Sequence, residues 1–259
     1  MRIVVNADDF GISPDTVSAT VAAIRAGHVT SATLMPNAPA SDEAVAFARQ
    51  AEGVSFGVHL TFVGDGNERT VAPRDEVPAL VDPAGRLRRT NRVRLAALLG
   101  RLPVEEIERE IAAQVEWARS RGLDVSHVDS HRHLHKYAPF RDALARVLPD
   151  LGVRHVRNVQ DIYLRTRPLV SPTVWLGGRW RTGLMCHFTT TDHFYMPATT
   201  GDRSWTALLQ RGELDGSTIE IGVHPGEVEE WRVCEAHGLA EFALAAAGDK
   251  HELVNWRDV

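Results

Sequence analysis

Short apolar runs alternate along this chain with stretches in which apolar residues recur every three or four positions. The first pattern marks strands buried on both faces, the second helices with one face on a core. Arg2–Asn6 (RIVVN) predicts a strand and Asp15–Ala26 a helix; Thr30–Met35 and Ser41–Ala51 repeat the pair, and Ser55–Leu60 (SFGVHL) gives a third strand. The clearest helix covers Val104–Arg121, opened by Pro103 and stopped by Gly122, with Ile107, Ile111 and Val115 on one face. Val125–Asp129 predicts the next strand, the region Phe140–Leu148 a helix, and Val153–Arg157 and Thr218–Val223 (TIEIGV) two later strands. A helix over Glu235–Ala247 and a strand over Glu252–Trp256 follow. Repeated strand–helix order predicts an α/β fold with a parallel sheet, open or closed into a barrel.

Two segments break this rhythm. Gly64–Leu102 is rich in Arg, Pro and Gly, with one short helical pattern at Arg92–Leu99, and Asn158–Arg203 mixes prolines and glycines with aromatics. Irregular insertions of this length in a compact domain are usually functional loops or lids. The length of 259 residues suits one large domain or two small ones, and no repeat, low-complexity tract or hinge-like linker divides the chain, so one domain over 1–259 is expected.

Composition removes some functions. A net charge of −5 offers no broad cationic face to a phosphate backbone, which argues against nucleic acid. The two cysteines, Cys186 and Cys234, form neither a metal pair nor a disulfide framework, and read as small buried apolar side chains of a reducing compartment. Asp8 and Asp9 interrupt the first apolar run before a signal peptide can develop, and no segment reads as a membrane span. A cytoplasmic protein without membrane insertion is the expectation.

The polar residues that carry chemistry collect at predicted strand ends. Asp8 and Asp9 follow the first strand, His59 ends the third, Asp129 and His131 close the strand after the long helix, and His224 follows TIEIGV. In parallel α/β folds the carboxyl ends of strands converge on one face, where active sites are built. Singly, an Asp pair is most often a cap or turn, and a histidine in an apolar strand a satisfied core residue. The run His127–His135 (HVDSHRHLH) is different, because on an extended backbone Asp129, His131, His133 and His135 share one face. Crowded imidazoles favour a metal. A catalytic cation takes about three protein ligands and keeps positions open; Asp9, His59 and His131 supply one carboxylate and two imidazoles from three strands, leaving Asp129 to fix an imidazole tautomer. Such a donor set suits one divalent ion: Zn²⁺ or Mg²⁺, with Mn²⁺, Co²⁺ or Fe²⁺ as further choices.

These residues resemble the YdjC-like carbohydrate deacetylases, which include the chito-oligosaccharide deacetylases. The resemblance rests on Asn6–Gly11 (NADDFG), Val29–Asn37 (VTSATLMPN), Gly57–Thr61 (GVHLT), His127–His135 and His224-Pro225-Gly226, in that order across nearly the whole chain. It implies a distorted TIM-barrel-like (β/α) fold, a metal on Asp9, His59 and His131, and hydrolysis of the acetamide of an N-acetylglucosamine-type sugar. It further implies Asp8 as general base, His224 near the leaving amine, and a homodimer. The chain departs from the pattern after Gly226, where Glu227–Glu235 (EVEEWRVCE) replaces a Tyr and an Arg-Glu pair. The segment Asn158–Arg203 is also unlike a chito-oligosaccharide enzyme, so the sugar stays open.

Further candidates are less specific. Trp175, Trp180, Phe188, Phe194, Tyr195 and Trp205 could face a sugar ring, though packing is the default for each. Asp192 and His193, in TTTDHFY, could reach the pocket, His193 as a substrate or supporting group beside His133. Arg86, Arg88, Arg89, Arg92 and Arg94 form a basic run whose default is a solvated face, with binding of a phosphorylated or anionic sugar as the minority reading. Two rival functions fit part of the pattern: another metal-dependent hydrolase, an amidohydrolase or phosphoesterase, and a metal-binding relative without turnover.

Overall fold

Val4, Val5 and Ala7 are wholly buried, and the chain around them forms the central strand, β1 (Arg2–Phe10). The computed structural model describes residues 1–64, 68–164, 172–197, 204–247 and 251–259. After β1 come α1 (Pro14–Arg25), β2 (Ser31–Leu34), α2 (Ser41–Ala48), β3 (Ser55–Leu60), α3 (Thr90–Leu98), α4 (Val104–Ser120), β4 (Val125–Ser130), α5 (Ala138–Val147) and β5 (His155–Val156). Then follow α6 (Pro172–Met185), β6 (His193–Tyr195), β7 (Thr218–Val223), α7 (Glu230–Ala247) and β8 (Glu252–Leu253). The sheet order is β5-β4-β3-β2-β1-β7-β6, every ladder is parallel, and β8 pairs with the start of β1.

The sheet curls into a half-barrel flanked by helices, the distorted barrel expected. Its two ends do not pair as a ladder among the described residues; the chain around Thr189 bridges them. Thr189 donates to the Arg154 carbonyl at 3.0 Å, the Val156 N–H donates to Thr189 at 3.1 Å, and the Asp161 N–H donates to Phe194 at 3.2 Å.

Four sequence expectations change. Asn158–Arg203 is not irregular throughout, since it holds α6 and β6; the pair Gly177-Gly178 hid the helical pattern, and three residues are too few for a strand period to show. The strands expected at Val153–Arg157 and Glu252–Trp256 shrink to two residues each. In the second, Asn255 accepts from Arg257 at 2.8 Å and Trp256 turns inward to stack on His127, ring centroids 4.8 Å apart. The last helix begins at Glu230 rather than Glu235. Cys234 is half-buried, whereas Cys186 is exposed, because it lies just past the end of α6.

The first insertion is pinned to α4 by carboxylates. Glu110 accepts from the Val71 and Ala72 N–H groups at 2.9 and 3.0 Å, and Glu106 accepts from Ala79 at 2.6 Å. Burial pushes the Glu110 carboxyl up to about 7 even so. This anchoring holds α3 beside the mouth of the site.

Candidate metal and catalytic centre

The end of β1 builds the middle of the site. The strand runs past Asn6, and its ladder to β2 slips between Ala7 and Phe10. Asp9 takes a left-handed φ of 57°, a conformation that Asp tolerates better than most residues. The kink sends Asp8 and Asp9 to different partners.

Asp9 meets two imidazoles. Its Oδ1 lies 3.3 Å from His59 Nε2, at the end of β3, and 3.1 Å from His131 Nδ1, just past β4. One ligand atom from each of the three residues lies within 4.8 Å of the others. Arg232 Nη2, on α7, donates to Asp9 Oδ2 at 2.8 Å, leaving Oδ1 for the imidazole side. Burial opposes the charge on Asp9, but hydrogen bonds from His131 and His59 hold its carboxyl well below the usual range.

His59 is oriented from behind. Asp129 Oδ1 lies 2.7 Å from His59 Nδ1, which turns Nε2 toward Asp9. Burial works against an imidazolium here, yet Asp129, Asp9 and Asp8 raise His59 to about 10. The site therefore demands positive charge.

Asp8 instead faces a buried guanidinium. Arg157, directly after β5, donates from Nη1 to Asp8 Oδ2 at 2.5 Å and from Nη2 to Oδ1 at 2.6 Å. The same group lies 2.7 Å from Asp129 Oδ2 and 2.7 Å from Glu220 Oε1. Burial would raise the Asp8 carboxyl, but Arg157 holds it far below the ordinary range, while burial leaves Glu220 raised to about 7. Asn6 Nδ2 also donates to Asp8 Oδ1 at 2.9 Å. Asp8 Oδ2 is thus the oxygen turned to the cleft, 4.0 Å from His224 Nε2.

His224 is held at its other nitrogen. Glu235 Oε2, on α7, accepts the His224 backbone N–H at 2.7 Å and lies 3.2 Å from Nδ1. Burial lowers the imidazole, but Glu235 and the two aspartates raise it overall. The pair Asp8 and His224 therefore has its proton affinities pushed apart, the arrangement that separates a base from an acid.

Asp8, Asp9, His59, His131, His224 and Arg232 line a cleft of about 670 Å³. The buried carboxylates around it are Asp8, Asp9, Asp129, Glu220 and Glu235, and the buried cations are Arg157, Arg232 and, with its raised proton affinity, His59. The positive charge that His59 holds beside Asp9 and Asp129 is one that a divalent cation at Asp9, His59 and His131 could supply instead. The second carboxylate–imidazole group, Asp8, His59 and Asp129, already encloses Arg157.

His131 joins the cluster as placed, but His133 and His135 do not follow it. The extended run stops at Ser130, since Arg132 and His133 take left-handed φ values of 58° and 55°. Ser130 Oγ accepts the His135 N–H at 2.9 Å, and Arg94 Nη2 donates to the Arg132 carbonyl at 2.9 Å; both hold the turn. His133 is carried to a wall shared with a second chamber of about 250 Å³, lined also by His135, Tyr137, Trp180 and Phe194. Burial and the nearby Lys136 and Arg157 keep both imidazoles neutral, His135 at about 3.

His193 lies away from the cleft. It pairs in register with Ile219, five residues short of His224 and roughly 16 Å along a strand at about 3.3 Å per residue, and its Nδ1 sits 2.8 Å from Asp161. Asp192 accepts from Thr218 at 2.8 Å. Phe188, Phe194, Tyr195 and Trp205 are buried, Trp180 is half-buried in the chamber wall, and the Trp175 side chain lies outside the described residues.

Sequence reasoning missed Arg157, Glu220, Arg232 and Glu235 as site residues. A signal existed for two of them. Arg157 closes a predicted strand like the other site residues, and Glu220 is a charge inside the apolar run TIEIGV, which needs a partner when buried. Arg232 and Glu235 stand where the chain departs from the family pattern, and only the packing of α7 brings them in.

A curled parallel sheet with a carboxylate–imidazole cluster at its strand ends is an α/β architecture whose polar residues could hold a metal ion. The chain belongs to the family described as YdjC-like protein, whose model matches residues 2–255. It is 36% identical over 230 residues to a carbohydrate deacetylase of Halalkalibacterium halodurans, covering 89% of this chain and 87% of that one. A carbohydrate deacetylase of Geobacillus stearothermophilus is 31% identical, over 87% of this chain and 80% of its own. Among solved structures, a protein of Enterococcus faecalis described by cellobiose-phosphate cleavage superposes with a TM-score of 0.78 at 24% identity, over 99% of this chain and 98% of that one. A lactam utilization protein of Thermus thermophilus gives 0.54 at 16% identity, over 98% and 99%. These two likenesses establish the fold.

Proposed function

We propose that this chain removes the acetyl group from an N-acetylated sugar of the N-acetylglucosamine type, using one divalent metal ion held by Asp9, His59 and His131. The observation that carries the reading is the meeting of those three side chains beside a carboxylate and an imidazole of opposed proton affinity, Asp8 and His224. The deacetylase names of the relatives supply the substrate class.

Hydrolysis of the acetamide adds hydroxyl to the acetyl carbon and a proton to the nitrogen, releasing acetate and an amino sugar. When bound, the ion supplies Lewis acidity and lowers the pKa of a water it holds, which suits Mg²⁺ or Zn²⁺ and also Mn²⁺, Co²⁺ or Fe²⁺. Asp8 Oδ2 receives the water's proton as general base, with Arg157 and Asn6 fixing the carboxylate. His224 gives a proton from Nε2 to the departing nitrogen, with Glu235 fixing its other edge. Asp129 orients His59. Among the described residues Arg232 Nη1 is a buried donor without a hydrogen-bond partner, and it serves the oxyanion that the carbonyl becomes. Trp180, on the wall of the adjoining chamber, offers an aromatic face to a sugar ring.

An acetate-release screen over N-acetylglucosamine derivatives tests this, with single metals restored to apo-protein and phosphate release followed alongside. Acetate release that depends on added metal is the expected result. Phosphate release, amide cleavage confined to non-sugar substrates, or metal binding without turnover would each replace the reading.

A further inference from the structure

The basic run singled out in the sequence is not used by the catalytic reading, and it leads into α3, which carries Arg92 and Arg94. Between Arg86 and Arg101 the chain holds six arginines and no carboxylate, on a protein of net charge −5. Arg86 pairs with Asp82 and Arg94 turns to the catalytic cleft, but Arg89, Arg92 and Arg101 are exposed and make no ion pair among the described residues. Beside them Leu95, Leu98 and Leu99 are exposed by 58%, 59% and 52%. Their spacing of three and four puts the leucines on one helix face, and a groove of about 350 Å³ runs along it between Arg88, Arg92 and Arg101. The opposite face, Val93 and Ala97, is buried on the domain.

We propose that this face of α3 seats the protein on an anionic lipid surface, with the leucines entering the headgroup boundary and the arginines pairing with lipid phosphates. Leucines on one side of a helix with arginines at its rim match that surface in both chemistries at once. A second copy of the same face does not, since it would set arginine against arginine and three leucines fall far short of the roughly 800 Å² per partner of a stable pair. Nucleic acid would leave the leucines without a role. Arg94, on the same helix, lines the catalytic cleft, so docking here places the mouth of the site next to the membrane.

Co-sedimentation of the full chain with vesicles tests the proposal, comparing phosphatidylcholine alone with phosphatidylcholine mixed with phosphatidylglycerol. Binding only to the mixed vesicles is expected, weakened by salt. The variant R89Q/R92Q/R101Q should bind roughly a hundredfold more weakly, and L95S/L98S/L99S at least about tenfold, both with unchanged melting because the side chains are exposed. No binding at low salt, or equal binding to both vesicle types, would overturn it. Sedimentation velocity closes the remaining route: a dimer that the leucine variant converts to monomer would give this face to a second copy instead.

Discussion

Asp8 and Asp9 are adjacent in the chain and chemically identical, yet their surroundings share almost nothing. Asp8 has a guanidinium on both oxygens, so its charge is balanced by protein. Asp9 has one oxygen on Arg232 and the other before two imidazoles, with one ligand atom of each of the three residues within 4.8 Å of the others. The left-handed backbone at Asp9 makes the division possible, because on an unbroken strand neighbouring side chains would simply point to opposite faces. On the proposed reading, a paired aspartate supplies two functions when one member is satisfied internally and the other is left to an external charge.

The comparison can be broken from either side. Asp8→Asn should cost about a hundred- to ten-thousandfold in turnover, the usual weight of a general base, with metal affinity held within a few-fold; full activity would remove Asp8 from the chemistry. Arg157→Met should unfold the protein more easily by about 3–5 kcal/mol in a denaturant titration, since it strands Asp8, Asp129 and Glu220 in the interior. Asp129→Asn acts one step behind the Asp9 side and should weaken metal binding roughly ten- to a hundredfold by calorimetry; unchanged affinity would show that His59 needs no help to present Nε2.

The smallest expected effect separates the acid from the base. Glu235 raises His224, so the protonated, active imidazole persists below its folded pKa and is lost as pH rises through it. Glu235→Gln should therefore move the alkaline limb of the rate profile to lower pH and leave the acid limb in place. An unmoved alkaline limb would assign that limb to another group.

Much of this was legible in the chain itself. Mostly apolar runs such as RIVVN and TIEIGV read as strands covered on both faces, and the polar residue after each such run falls at the carboxyl end of a parallel sheet, where active sites are built. That logic placed Asp9, His59, His131 and His224 around one cleft. The shared face expected for His131, His133 and His135 did not form, although His133 still lines the cleft, because an alternating pattern predicts a shared face only while the backbone stays extended, and the turn at Arg132 is held by Arg94 from 38 residues away. The strand-end logic failed for Arg232 and Glu235, whose positions depend on how α7 packs rather than on any local period.

The central claim is that Asp9, His59 and His131 bind one cation. Anomalous diffraction from crystals soaked with Zn²⁺ or Mn²⁺ tests it most directly. A single strong peak in reach of Asp9 Oδ1, His59 Nε2 and His131 Nδ1, absent in His59→Ala crystals, is predicted. A peak elsewhere, or none at saturating metal, would contradict the account.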